Sequence, residues 1–241
     1  SLAKLAGLVQ AGLHPFLQEN HAGYPIAIVI STDKGLCGGL NQNLFKAALH
    51  WIKENPTGKL VLIGKKSVKF AKVYGLPVHA QFTDLPDPIA HADTLAVTTL
   101  ATAGFLDQTF TSVAVIYMDF VSTLVQKVTQ VQLLPLPKTM ATATTETPLV
   151  HTKLTPEYIF EPSAQEILND LLQYYLENTI HQSFLEAKAS EHSARMVAMK
   201  NASENAKELV SELQLQFNKS RQEHITSELL DITTAILAQT R

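Results

Sequence analysis

Between residues 24 and 134, short apolar runs alternate with longer segments whose apolar positions recur at helical spacing. Residues 24–31 are an Ile- and Val-rich run without charge, which predicts a buried strand. A loop follows, and then 41–54 carries a helical pattern. Residues 59–63 predict a second strand, 65–74 a second helix, 77–82 a third strand and 89–105 a third helix. That alternation builds a Rossmann-like, mostly parallel sheet covered by helices. Residues 112–120 and 123–134 follow in quick succession as two more strands, the second alternating through Leu124, Gln126, Val128 and Gln130. A hairpin of this kind adds an antiparallel edge. Residues 139–152 are Thr-rich with no apolar period and predict a loop, and 157–162 an extended stretch.

The rest of the chain follows another rule. All ten glycines lie at or before Gly104 and the last proline is Pro162, so 163–241 lacks both residues that punctuate helices. Ser163 is a candidate N-cap, with Glu166 three residues on to complete a capping box. Apolar residues then recur three or four apart: Ile167, Leu168, Leu171, Leu172 and Tyr175, then Met196, Met199, Ala202, Ala206, Leu209, Leu213 and Phe217, then Ile225, Leu229, Ile232 and Ile236. This predicts one long, partly supercoiled helix, on the order of 115 Å at about 1.5 Å per residue. Small residues dominate 187–206, where a neighbouring helix could approach closely. Residues 2–17 read as the end of a further helix. The expected organisation is a helical remainder over 1–20, an α/β domain over 21–162 and a coiled-coil helix over 163–241.

Composition narrows the function. Of 241 residues, 46% are hydrophobic and 17% charged, with 19 basic against 22 acidic, a formal charge of −3. That excludes a disordered chain and provides no broad electrostatic footprint for nucleic acid. No run approaches the roughly 18 apolar residues of a membrane span, and the first residues lack a signal-peptide pattern, so an unexported protein is expected. The single cysteine, Cys37, leaves no disulfide framework.

Candidate chemistry is sparse. Gly35, Leu36, Cys37, Gly38 and Gly39 stand between the first strand and the first helix, where a phosphate-binding turn would lie. Their order does not fit the dinucleotide fingerprint, and a tight turn is the simpler reading. Gly58, Gly64 and Lys65 likewise miss the spacing of a phosphate loop. Cys37 has no neighbouring base in sequence, and the nine histidines show no metal-ligand spacing. No catalytic, cofactor-binding or metal-binding residues are therefore assigned. Lys65, Lys66, Lys69 and Lys72 give one helix several positive charges, read as a solvated face. Arg221, Gln222 and Thr226 lie on neighbouring turns of the tail, able to reach a partner's carboxylates or backbone.

Three separated stretches carry a family resemblance. Ser31, Thr32, Asp33, Lys34, Gly35, Leu36, Cys37, Gly38, Gly39, Leu40 and Asn41 resemble the strand-end segment of the gamma subunit of rotary ATP synthases. Residues 190–202, with Glu191, Arg195, Met196 and Lys200, resemble that family's C-terminal helix. Residues 217–231, including Phe217, Asn218, Arg221, Gln222, Thr226 and Asp231, make the third match. The resemblance implies a central stalk, in which an N-terminal helix and the C-terminal one pair as an antiparallel coiled coil inside a hexamer of alpha and beta subunits. It implies a chain with no catalysis or cofactor of its own. Ion flow, of protons or sodium, would turn a membrane ring, and the shaft would drive each beta subunit through its binding states. Arg221, Gln222 and Thr226 are then expected to contact a beta-subunit loop. Glu177, His181 and Gln182 are expected near the epsilon subunit and the membrane c-ring. The implied location is the cytoplasmic face of a bacterial inner membrane, peripherally in the complex.

Two positions depart from the family pattern. Its long first helix with a Thr-Lys-Ala-Met-like segment has at most a downstream remainder in 2–17, and Ala235 and Ile236 replace the usual Gly and Ala after the last carboxylate. The single cysteine also differs from the plastid type, whose regulatory loop holds a cysteine pair. Read without the resemblance, the chain has two alternatives: a small α/β nucleotide-binding enzyme using the 35–39 turn, or a helical adaptor that dimerises through its tail.

Overall fold

The computed structural model describes residues 14–136 and 164–239. The chain divides into two compact units, Ser1–Arg195 and Met196–Arg241. In the first, strands β1 (Tyr24–Ile30), β2 (Lys59–Ile63), β3 (Val78–Phe82), β4 (Phe110–Phe120) and β5 (Gln126–Leu134) form one sheet in the order β3-β2-β1-β4-β5. The pairs β1–β2, β1–β4 and β2–β3 are parallel and β4–β5 is antiparallel, as the alternation and the hairpin require. Helices α1 (Leu40–Glu54), α2 (Lys65–Tyr74) and α3 (His91–Leu106) make the crossovers, and α4 spans Ala164–Gln239.

Both sheet faces are buried. Ile26, Ile28 and Ile30 of β1 point to one side, with Val97, Ala101 and Phe105 of α3 and Leu168, Leu172, Leu176, Ile180 and Phe184 of α4. Ala27 and Val29 point to the other, with Leu40, Leu44, Ala48 and Trp51 of α1 and Ala71 of α2. A strand covered on both sides must read as continuous apolar sequence, which is why β1 shows no alternation. β3 and β5 are the edge strands, and β5 mixes exposed and half-buried positions until Leu133 and Leu134 enter the core.

Most predicted boundaries lie within two residues of the observed ones. α3 begins at His91 because Asp93 accepts the Ala90 amide at 2.8 Å and closes the first turn. β5 begins at Gln126, since residues 122–125 form the hairpin turn closed by Ser122 and Val125. At the chain's opening, Pro15–Leu17 is a single 3-10 turn, with His14 Nδ1 accepting the Phe16 amide at 3.1 Å. The expected loop at 139–152, the extended stretch at 157–162, the Ser163 cap and residues 2–13 of the helix expected over 2–17 lie outside the described residues, and the end of that helix is this 3-10 turn. Among the described residues, no helix is long and apolar enough to cross a membrane.

Candidate functional site

In open α/β sheets, ligands occupy the crevice outside the carboxyl ends of the strands, where the strand order reverses. Here that point lies between β1 and β4. It is filled by the chain itself. Phe184, Ala187, Lys188 and Glu191 of α4 stand against Ser31, Thr32 and Asp33 after β1 and Gly64 after β2, leaving a cavity of about 20 Å³. One water fits such a space and a nucleotide does not. The first turns of α4 pack on the α3 face, while Ala194 touches the α1 face, so the helix crosses the carboxyl end of the sheet. The small residues of this stretch admit a strand where the sequence suggested a helix: Ser190 Oγ donates to the Met118 carbonyl of β4 at 2.9 Å.

The run from Ser31 to Asn41 builds the floor of this junction. Ser31 Oγ donates to the Ile63 carbonyl at 2.8 Å and accepts the Ser67 amide at 2.9 Å, tying β1 to the start of α2. Gly64, at φ +88°, lies where a Cβ would come within 2.4 Å of the Ser31 carbonyl oxygen, so only glycine fits. Asn41 Nδ2 donates to Thr32 Oγ1 at 2.8 Å and to Cys37 Sγ at 3.3 Å, closing the glycine turn on itself. Cys37 is buried in the α1-side core. Leu36 and Gly38 both take positive φ, 63° and 59°, and the Leu36 side chain is 72% exposed.

A chain of charges binds α4 to this floor. Glu191 is 5% exposed and pairs with Arg195 Nη2 at 2.5 Å and Lys188 Nζ at 3.5 Å. Lys188 also reaches Asp87 Oδ2 at 3.9 Å, and His192 Nε2 approaches the same oxygen at 3.1 Å. Arg195 Nε donates to the Gly35 carbonyl at 3.3 Å. The loop before α3, the glycine turn and α4 are thus joined through side chains spaced to share one helix face. A buried carboxylate is tolerable only when paired in this way.

Of the residues singled out from sequence, Glu177 accepts from Gln173 Nε2 at 3.1 Å and Gln182 Nε2 donates to Glu186 at 2.9 Å, both along α4. His181 lies against His91 of α3, ring centroids 5.2 Å apart, and its Nδ1 is buried with no partner among the described residues. Burial, and secondly the His91 ring, hold its pKa below the usual histidine value. Arg221, Gln222 and Thr226 fall in the other unit, all exposed, with Thr226 Oγ1 donating to the Gln222 carbonyl at 2.9 Å. The two sets therefore belong to different units. No role was expected of Asp87 or Lys188, while Glu191 and Arg195 stood out only as part of the 190–202 resemblance and as an i, i+4 pair inside a run of small residues.

A mixed sheet whose ligand crevice is closed by a long helix defines a class of α/β module built around that helix. A family model described as ATP synthase matches residues 1–238. The ATP synthase gamma chain of Glaesserella parasuis serovar 5 is 40% identical over 229 residues, covering 93% of this chain and 77% of that relative. That of Actinobacillus pleuropneumoniae serotype 3 is 42% identical over 230 residues, with the same coverage. The chain belongs to the ATP synthase gamma chain family. The fold is also that of a chain in the Euglena gracilis mitochondrial ATP synthase, OSCP/F1/c-ring, with TM-score 0.65 and 20% identity over 99% of this chain and 86% of that one. A chain of the Tetrahymena thermophila mitochondrial ATP synthase central stalk and c-ring gives TM-score 0.55 at 19% identity, over 84% of this chain and 94% of that one.

Proposed function

We propose that this chain is the non-catalytic rotor shaft of an ATP synthase, transmitting rotation of an ion-driven membrane ring to an alpha/beta hexamer. The observation that carries this is the clamp on α4. An element that transmits torque must be fixed to its base, and the Lys188–Asp87 ion pair and the Arg195–Gly35 hydrogen bond fix residues 184–195 against the loop before α3 and the glycine turn. Closure of the crevice by the same helix agrees with a chain that leaves nucleotide chemistry to its partners.

On this reading residues 1–20 and 163–241 supply the two arms of an antiparallel coiled coil and 21–162 its base. Arg221, Gln222 and Thr226 face a beta-subunit loop. Glu177, His181 and Gln182 face the epsilon subunit and c-ring, and the complex sits on the cytoplasmic face of a bacterial inner membrane. The exposed apolar seam through Leu209, Leu213 and Phe217 favours a helical partner. Mixing the chain with alpha and beta subunits should yield a complex that hydrolyses ATP, and Arg221→Ala should lower its turnover with assembly intact. A chain that fails to join the hexamer, and instead sediments as a reversible dimer, would move the assignment to a self-associating adaptor.

A further inference from the structure

The charge of this chain is unevenly distributed. Helices α1 and α2 together hold six lysines and one glutamate, a formal +5 on a chain whose total is −3. Lys65 is engaged with Asp84 at 2.5 Å. Lys66, Lys69 and Lys72 have no ion-pair partner among the described residues. A row of uncompensated lysines raises the local potential and costs self-repulsion, which an anionic partner would relieve.

Beside that row runs an apolar seam. Phe45 of α1 stacks on Phe70 of α2 with ring centroids 4.2 Å apart and planes 8° from parallel, and Tyr74 lies against Phe70 at 4.7 Å, tilted by 43°. The seam is open to solvent at its end, where Val73 is 71% and Tyr74 60% exposed. On α2, residues 66, 70 and 74 form one i, i+4 row and 69 and 73 the next, so charge and apolar surface lie side by side along the groove between two helices.

We propose that the α1–α2 groove is a docking surface for an acidic amphipathic helix of another protein. Its carboxylates would meet Lys66 and Lys69, and its apolar flank would cover Tyr74 and Val73. Charge complementarity selects the sign of the partner, and the adjoining seam selects a helix over a simple anion. An anionic lipid surface or a polyphosphate would engage the lysines and leave the stacked rings uncovered.

The test uses this whole chain alone, so it is independent of the shaft role. The probes are a synthetic 14-residue peptide with glutamates on one helical flank and leucine and phenylalanine on the other, its Glu→Gln counterpart, and vesicles containing phosphatidylserine. The acidic peptide should bind with amide shifts confined to α1 and α2, and weaken with salt. Joint replacement of Lys66 and Lys69 by Gln should weaken it by about tenfold or more, and Tyr74→Ser by about fivefold, as expected when charges and an aromatic anchor both contribute. The four positions tested or covered, Lys66 apart, are exposed, and superimposable thermal melts establish that the variants are folded. Absence of peptide binding, equal binding of the Gln peptide, equal binding by the lysine variant, or vesicle binding without peptide binding would each overturn the proposal.

Discussion

Residues 166–195 and 196–236 belong to one continuous helix and carry the same three-or-four spacing of apolar residues, yet their surroundings differ completely. In the first stretch Leu168, Leu172, Leu176, Ile180 and Phe184 are each 3% exposed or less. In the second, Leu209, Leu213, Phe217, Leu229 and Ile236 are each more than half exposed. Helical periodicity therefore reports that a face is apolar; it does not report whether this chain supplies the surface that covers it.

The sharpest way to break the comparison is to truncate one phenylalanine from each stretch. Phe184→Ala empties a site that is 1% exposed, and should cost about 3–5 kcal/mol in denaturant unfolding. Phe217→Ala removes a ring that is 68% exposed and should change the stability of the isolated chain by no more than about 0.5 kcal/mol. Comparable losses would mean that the second stretch is covered in solution by something within the chain or by another copy of it.

The next effect concerns what holds the first stretch in place. Glu191→Ala removes the partner of Arg195 and Lys188 and should destabilise the first unit by about 2 kcal/mol, in the range for hydrogen bonds to charged groups. Glu191→Gln should recover part of that loss, because an amide oxygen still accepts from Arg195. An unchanged midpoint for both variants would show that apolar packing alone holds residues 184–195, and would remove the support that the clamp gives to a torque-bearing role.

The contrast also explains which features were legible in advance. The absence of Gly and Pro after Pro162 was enough to predict α4, because local backbone preference governs helix continuity. The parallel pairing followed from the alternation of strand and helix, with the closing hairpin marking the antiparallel edge. The clamp was not legible. Asp87 and Lys188 are about a hundred positions apart, and nothing periodic links the loop before α3 to the face of α4 it meets. The stretch Ser31 to Asn41 stood out as a motif, but its reason lies in tertiary contacts: Ser31 with Ile63 and Ser67, and Gly35 with Arg195. Likewise the small residues of this stretch signalled a close approach, and at Ser190 it is the Met118 carbonyl of a strand that approaches, since small size admits a strand as readily as a helix.

The smallest effect separates the stretches by their response to pH. Packing α4 on β4 brings Glu186 beside Asp119 and Tyr117. Burial first, and then the Glu186 carboxylate, raise the Asp119 pKa above its ordinary value of 3.8, while Lys127 opposes the rise. An acid whose pKa is higher folded than unfolded binds more protons in the folded state, so its stabilising contribution is complete at low pH and is lost as pH rises through the folded value. Asp119→Asn retains the neutral form at every pH. The variant should match the parent near pH 2.5, below the unfolded carboxyl value, and become the more stable of the two as pH rises, the difference levelling off once Asp119 is ionised. Asp119 is only half-buried and lies opposite Lys127 in the β4–β5 register, so screening should hold the gain below about 1 kcal/mol. Chemical unfolding of both proteins from pH 2.5 to 8 measures it, and subtraction cancels the titration of His14, whose burial lowers its pKa and acts with the opposite sign. A difference that stays flat across the range would mean that Asp119 and Glu186 are further apart in solution, and that the packed stretch of α4 sits less tightly on β4 than its buried Leu and Phe residues indicate.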